Sequence, residues 1–217
     1  MEANISCIIS LEGNIGSGKS TLLSHLKAQY AADPTICFLD EPVKVWDTIT
    51  DVNGVTILEK YYADQKRYAF SFQMMAYISR IAAMRAAIKE NKYRLIIIER
   101  SVYTDSAVFA KMLFDDKKIE DIEYLIYRTW VNEFIADFPP IKFVYVRADP
   151  EVSFQRIMQR GRQGEAVIPL DYLQNCHHYH DEWLLKQNER PLLLLDANAD
   201  VKAALAGWLK DIEAFIQ

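Results

Sequence analysis

The sequence predicts a single-domain α/β protein in which a five-stranded parallel sheet carries helices on both faces. Short apolar segments alternate with longer helical patterns through five cycles, the order expected of parallel strands joined by crossover helices. Hydrophobic residues make up 51% of the 217 residues, which is enough for one substantial core. Because no Pro-, Gly- or Ser-rich linker divides the chain, we assign residues 1–217 to one domain.

The loop between the first predicted strand and helix carries the clearest motif. Residues 13–21 read GNIGSGKST and fit the phosphate-binding pattern G-x-x-x-x-G-K-[ST] at each fixed position. An apolar run ending at Leu11 precedes this loop, and apolar residues at helical spacing from Leu22 follow it. Backbone N–H groups and the helix N-terminus of such a loop bind phosphate oxygens. The predicted nucleotide-binding residues are Gly13, Asn14, Ile15, Gly16, Ser17, Gly18, Lys19, Ser20 and Thr21.

The second and third predicted strands each end in a carboxylate. Residues 36–39 lead to Glu41, and residues 95–98 lead to Glu99 and Arg100. Open α/β sheets bind their ligands at the carboxyl ends of the strands, so these side chains are candidates for a site. Glu99 is a candidate Mg²⁺ ligand, and Arg100 a candidate partner for phosphate charge. Taken alone, Glu41 fits a solvated loop glutamate equally well.

Helices are predicted between these two strands. Two short ones fall within residues 43–64, and a long one covers residues 68–90 with a core stripe at Ile78, Ile81 and Ala82. A second face of the long helix carries Phe72, Gln73, Ala76 and Arg80. This face is suited to the wall of a pocket, although the pattern alone also fits an ordinary amphipathic helix.

Two features of the middle of the chain suggest contacts beyond the core. Asp105 and Phe109 are four residues apart and are expected on one face of a short helix. Residues 119–138 form another predicted helix. Its broad apolar face contains Ile122, Leu125, Ile126, Trp130 and Phe134. Because this face is wider than the core requires, the sequence favours a homodimer.

The C-terminal part of the chain completes the alternation. The last predicted strands and helix cover residues 143–146, 192–195 and 201–216. A helix that begins at Asp149-Pro150 places Arg156 and Arg160 one turn apart, and a glycine-flanked loop containing Arg162 follows it. We predict that residues 156–168 form a lid that closes positive charge over a transferred phosphoryl group. A plain basic helix end is the alternative.

Composition narrows the classes of partner and compartment. The net charge of -5 argues against nucleic acid as the main partner and favours a small molecule. The three cysteines are odd in number and lack metal-ligand spacing, which suits a reducing compartment. No apolar run approaches the roughly 20 residues of a membrane span. We therefore expect a cytoplasmic protein without membrane partners.

Several motifs together resemble the deoxynucleoside kinase family, in particular its deoxycytidine and deoxyguanosine kinase branch. They run from Ile9 to about Asp200 and read GNIGSGKST, EPVKVW, FQMMAYISR, ERSVYTD and RGRQGE. The resemblance implies a P-loop kinase fold and transfer of the γ-phosphate of ATP to the 5′-hydroxyl of a deoxynucleoside. It also implies Glu41 as the base for that hydroxyl and Lys19 on the donor phosphates. Magnesium would be held by Ser20 and Glu99. Phosphate charge would be offset by Arg100, Arg156, Arg160 and Arg162.

The resemblance also implies the acceptor site. An apolar slot for the base would be formed by Ile15, Val43, Trp46, Leu58, Phe72 and Phe109. Tyr62 and Glu165 would hold the 3′-hydroxyl, while Gln73 and the small Ala76 would border the base. Asp105 can accept a hydrogen bond from the exocyclic amine of cytosine or adenine, whereas it would face the O4 acceptor of thymine, and Arg80 can hold this acid in place. We therefore predict that deoxycytidine and deoxypurines are preferred to thymidine.

Two other functions fit parts of the pattern. A nucleoside monophosphate kinase of the same fold shares the phosphate loop and the arginine lid, and a non-catalytic P-loop module shares the loop alone. The segment at Asp200, which would border the donor base, is only loosely similar to the family. The choice of donor therefore stays open at this point.

Overall fold

The computed structural model describes residues 5–136, 138–161 and 168–216. In these residues a parallel sheet of five strands has the order β2-β3-β1-β4-β5. The strands are β1 Cys7–Glu12, β2 Ile36–Leu39, β3 Leu95–Glu99, β4 Ile141–Arg147 and β5 Leu192–Asp196. The predicted α/β fold and its five-stranded parallel sheet are confirmed. Both neighbours of β1 run parallel to it, so the carboxyl ends of β1, β3 and β4 meet at one edge.

Helices connect the strands in chain order. The first five are α1 Lys19–Gln29, α2 Val43–Trp46, α3 Ile57–Ala63, α4 Gln65–Glu90 and α5 Val102–Thr104. A π-helical turn at Asp105–Ala110 continues α5. The remaining helices are α6 Lys111–Asp115, α7 Asp121–Ile135, α8 Pro150–Arg160, α9 Leu170–Leu184 and α10 Val201–Ile216. None of the helices in the described ranges is long and apolar enough to cross a membrane.

Side chains pack on both faces of the sheet, as predicted. On one face, the completely buried Leu22 and Leu26 of α1 and Ile212 of α10 share one cluster with apolar residues of β1, β3, β4 and β5. On the other, Met84 of α4 and Leu184 of α9 pack against isoleucines of β3. Truncating one such leucine to alanine costs about 2–5 kcal/mol. The sheet is therefore a rigid platform for the loops at its carboxyl edge.

Helix α4 departs from its predicted start and core stripe. It begins at Gln65 because the Asp64 side chain accepts a hydrogen bond from the backbone N–H of Arg67 at 3.1 Å. Ile81 is buried as predicted, whereas Ile78 is 43% exposed and Ala82 is exposed. The prediction was wrong for those two residues because two other sides of α4 are covered. One side packs toward α7, and the other faces the central cavity.

Candidate active site

A cavity of about 590 Å³ opens at the carboxyl edge of the sheet. It lies between the loop after β1, the end of β2, helices α3, α4, α8 and α9, and the π-helical turn. Most of the predicted site residues line it. These are Ile15, Gly16, Gly18, Lys19, Ser20, Thr21, Glu41, Val43, Trp46, Leu58, Tyr62, Phe72, Gln73, Ala76, Arg80, Glu99, Arg100, Asp105, Phe109, Arg156 and Arg160. The predicted residues Arg162 and Glu165 lie outside the described residues.

The other predicted loop residues support the cavity from behind. The Asn14 side-chain amide donates to the carbonyl of Leu173 in α9 at 2.9 Å, and its oxygen accepts from the N–H of Ile15. Gly13 has a φ of +140°, and a Cβ there would lie 2.4 Å from the backbone oxygen of Val146. Only glycine fits this combination of backbone angle and space. Ser17 is completely buried, and its carbonyl accepts from Arg156 at 3.3 Å.

Four residues that line the cavity were not predicted from the sequence. They are Tyr61, Gln159, Tyr172 and Lys202. The hydroxyls of Tyr61 and Tyr172 are 3.0 Å apart and join α3 to α9 in the interior. The position of Tyr61 directly before Tyr62 is a sequence signal for it, because α3 turns both side chains inward. Tyr172 has no comparable signal, because its partner is 111 positions away.

Lys19 is the charged group of the phosphate loop. It is buried, and its ammonium donates to the carbonyls of Gly13 at 3.0 Å and Asn14 at 2.7 Å. Burial, together with the nearby Arg100, lowers the pKa of Lys19 to about 7. An anion brought into the loop would restore the charge of this lysine. The positive charge of the loop would therefore increase if an anion bound there.

Glu41 lies between two arginines at the end of β2. Its Oε1 accepts from Arg100 at 2.6 Å and from Arg80 at 3.4 Å. Burial raises the pKa of Glu41, but Arg100, Arg80 and Lys19 outweigh it and lower that pKa to about 2. The carboxylate is thus held as a fixed acceptor between the phosphate loop and the inner cavity. This placement distinguishes Glu41 from a solvated loop glutamate, the alternative that its sequence position alone left open.

Arg80 and Asp105 form a buried ion pair at the inner end of the cavity. Arg80 Nε donates to Asp105 Oδ2 at 2.8 Å, and one of its terminal nitrogens donates to the carbonyl of Glu99 at 2.9 Å. Burial, opposed by Arg80, raises the pKa of Asp105 above its ordinary value. Gln73 is nearby and buried, and its Oε1 has no hydrogen-bond partner. A buried amide oxygen without a partner indicates a site that a polar ligand completes.

Asp105 and Phe109 lie on the π-helical turn, where a short helix was predicted. Both line the cavity. The wider turn carries the chain from α5 into α6 while both side chains remain on the cavity side. Phe109 also lies under the Arg100 guanidinium, whose central carbon is 5.2 Å from the ring centroid. The turn therefore joins the inner cavity to the arginine beside Glu41.

Ser20 and Glu99 form the donor set that a magnesium ion would use. Ser20 Oγ donates to Glu99 Oε1 at 2.7 Å, and both residues line the cavity. No group of three or more His, Cys, Asp or Glu suited to a metal occurs in the described part of the chain. Magnesium commonly takes only one or two protein oxygens and completes its shell with phosphate and water. The pair therefore fits this ion.

The fold and the cavity define a class of protein. A glycine-rich phosphate loop after the first strand of a parallel sheet, with a fixed carboxylate opposite it, is the arrangement of a P-loop phosphotransferase. A comparison with protein families matches residues 9–212 to the family described as deoxynucleoside kinase. The chain therefore belongs to the deoxynucleoside kinase family and is an ATP-dependent phosphotransferase.

Individual relatives agree with this assignment. Human deoxycytidine kinase is 33% identical over 96% of this chain and 90% of its own length. A probable deoxycytidine kinase of fowlpox virus is 34% identical over 88% of this chain and 79% of its own. The mitochondrial deoxyguanosine kinase of Xenopus laevis is 30% identical over 88% of this chain and 82% of its own. The resemblance noted in the sequence is thus confirmed at the level of the family.

Proposed function

We propose that this protein transfers the γ-phosphate of ATP to the 5′-hydroxyl of a deoxynucleoside in nucleotide salvage in the cytoplasm, and that it prefers deoxycytidine or deoxypurines to thymidine. One observation carries the proposal. Glu41 lies between the phosphate loop and the buried Gln73, Arg80 and Asp105 in a single cavity. The cavity thus offers a donor end, an acceptor end and a carboxylate where the two substrates meet.

Glu41 accepts the proton of the attacking hydroxyl. In the step, the 5′-oxygen forms a bond to the γ-phosphorus, the bond to the β,γ-bridging oxygen breaks, and ADP leaves. A carboxylate with a pKa of about 2 is a weak base. In a loose phosphoryl-transfer transition state, however, the proton moves late, so orientation of the hydroxyl matters more than basicity. Arg100 and Arg80 provide that orientation by fixing Glu41 Oε1.

Charge on the transferred group is offset from several sides. Ser20 and Glu99 would hold magnesium, which when bound neutralises the β- and γ-phosphate oxygens. Lys19 and the loop N–H groups bind the donor phosphates. Arg156 and Arg160 approach from α8, and Arg156 also donates to the carbonyl of Ala199 at 2.9 Å. This contact joins α8, which carries the first residues of the proposed lid, to the segment at Asp200 that is proposed to border the donor base. Arg162 completes the proposed set.

The acceptor base lies in the apolar slot. Trp46 packs edge-on against Phe72 with ring centroids 5.4 Å apart, and Tyr61 stacks on Phe72 at 4.5 Å. These contacts fix the Phe72 ring as one wall for the base. Tyr62 and Glu165 are proposed to hold the 3′-hydroxyl.

The inner end of this slot selects the base. Gln73 pairs with one base edge, and Asp105 accepts from an exocyclic amine. Thymine would place an acceptor against this acid, at a cost that strongly disfavours it.

A panel assay tests the reaction. Each of the four deoxynucleosides, their ribose counterparts and their monophosphates is incubated with ATP and Mg²⁺, and the products are separated by chromatography. We expect monophosphates from deoxycytidine and deoxypurines, with little from thymidine. Turnover of monophosphates alone would instead show a nucleoside monophosphate kinase, and nucleotide binding without turnover would show a non-catalytic module. Either result would overturn the proposal.

We further propose a homodimer formed through α7. Ile122 and Leu125 are each 66% exposed, and Ile126 and Trp130 are 42% and 46% exposed. Such a stripe on one helix face favours a partner surface over solvent. Light scattering should give twice the chain mass, and Leu125→Glu should give the single-chain mass. Arg128→Gln, at an exposed position of the same helix away from the centre of this stripe, is the matched control. A monomeric wild-type protein would refute this proposal.

A further inference from the structure

The carboxylate of Glu12 lies behind the site and takes no part in the proposed reaction. Glu12 is the last residue of β1 and is completely buried. Its Oε1 accepts from Ser10 Oγ at 2.6 Å, Ser101 Oγ at 2.6 Å and the Ser101 N–H at 3.1 Å. Its Oε2 accepts from the Thr104 hydroxyl. Its oxygens are occupied by protein donors, and Glu12 is not among the described residues that line the cavity.

The partners of Glu12 flank a strained residue. Arg100 has a φ of +61°, a conformation that residues other than glycine rarely adopt. Such a residue persists only where its surroundings fix it from several sides. The N–H of Arg100 donates to the carbonyl of Leu11 at 3.0 Å, and Glu12 holds the next residue, Ser101. Consecutive residues of β1 therefore fix the strained turn.

We propose that Glu12 is a positioning residue for phosphoryl transfer. By fixing Ser101 it holds the turn that aims the Arg100 guanidinium at Glu41, 2.6 Å away, and at the Gly13 carbonyl, 3.4 Å away. The inference rests on the proposed roles of Glu41 and Arg100.

Glu12 also directly precedes the phosphate loop. The donor loop and the arginine beside the attacking hydroxyl thus share one buried anchor. Loss of the anchor should change the geometry of transfer and therefore kcat, while both substrates keep their contacts.

Ser101 and Ser10 provide a matched pair of variants. Both are completely buried, and both hydroxyls donate to the same oxygen of Glu12 at 2.6 Å. Only Ser101 adjoins Arg100. We expect similar losses of melting temperature from Ser101→Ala and Ser10→Ala. Ser101→Ala should also lower kcat about tenfold with both KM values unchanged, whereas Ser10→Ala should keep kcat within about twofold.

Two further variants separate the possible outcomes. In Glu12→Gln the amide oxygen can still accept from Ser101 and the amide nitrogen can donate to the Thr104 hydroxyl, so kcat should fall less than in Ser101→Ala. Arg100→Ala should lower kcat by more than Ser101→Ala does. Equal kcat values for the two serine variants would overturn the role of Glu12. Full activity of Arg100→Ala would instead overturn the proposed function of the arginine.

Discussion

The two halves of the cavity are built in different ways. The proposed donor half is mainly one continuous stretch, residues 13–21, which offers backbone N–H groups and a single lysine to a phosphate. The acceptor half combines side chains from the end of β2, from α3 and α4, and from the π-helical turn. The donor half therefore depends on local backbone conformation, whereas the acceptor half depends on how distant elements pack.

The two halves also differ in the feature that makes each of them sensitive to substitution. The donor half places glycines where a side chain would meet backbone atoms, as at Gly13. The acceptor half buries charged groups, such as Arg80 and Asp105, which offset one another only when both are present. Substitutions should therefore act through shape in the donor half and through charge balance in the acceptor half.

Glu41→Gln should show the largest effect, because Glu41 belongs to the junction of the halves. The amide cannot take the proton of the hydroxyl, so we expect kcat to fall about 10²–10⁴-fold with little change in KM for ATP. Steady-state kinetics with saturating deoxycytidine measure this. Asp40→Asn is the neighbouring control, since Asp40 is exposed and pairs with Lys27. A fall in kcat of less than tenfold would show that Glu41 is not the base.

Charge balance in the acceptor half is tested by Arg80→Met combined with Asp105→Ala. Arg80→Met leaves Asp105 buried without its partner, at a cost of about 3–5 kcal/mol, and Asp105→Ala leaves Arg80 with only its longer contact to Glu41, whereas the double variant removes both charges. The double variant should unfold at a higher urea concentration than either single variant. It should also raise kcat/KM for thymidine relative to deoxycytidine about 100-fold. An unchanged preference would show that this pair does not select the base.

Shape in the donor half is tested by Gly16→Ala, with Gly54→Ala as its control. The two glycines have φ values of +79° and +80°, but a Cβ at Gly16 would lie 2.5 Å from the Ser153 carbonyl oxygen, while none of the described atoms lies within 4 Å at Gly54. Both variants should lose about 1 kcal/mol of stability through the backbone. Only Gly16→Ala should raise KM for ATP, about tenfold, with KM for the deoxynucleoside unchanged. Equal ATP kinetics in the two variants would refute this role of the loop shape.

The smallest expected effect concerns the protonation of Lys19. Its pKa of about 7 in the free protein means that it is mainly neutral at pH 8, and bound phosphates would raise that pKa. ATP binding at pH 8 should therefore take up nearly one proton. Calorimetry in two buffers of different ionisation enthalpy measures this uptake, and deoxynucleoside binding without ATP is the control. Absence of uptake with ATP would show that Lys19 is already charged.

Local patterns were enough to predict much of the molecule. The apolar runs predicted the strands, since buried parallel strands need continuous apolar residues. The motif at residues 13–21 predicted the phosphate loop because consecutive residues determine its backbone. Glu41 and Glu99 were predicted from their position after strands, and both line the cavity. These inferences need only the order of residues along the chain.

Tertiary structure decided most of the contacts between distant side chains. The resemblance to the family had led us to expect that Arg80 holds Asp105, and the two residues do pair. The pairing of Arg100 with Glu41 over 59 positions was not predicted, because this separation closes only through the strand order of the sheet. Packing around α4 likewise exposed Ile78, which periodicity had placed in the core. The role proposed for Glu12 also depends on contacts across the sheet. Periodicity reports the environment along one element, whereas hydrogen bonds and ion pairs depend on atoms that only the folded chain brings together.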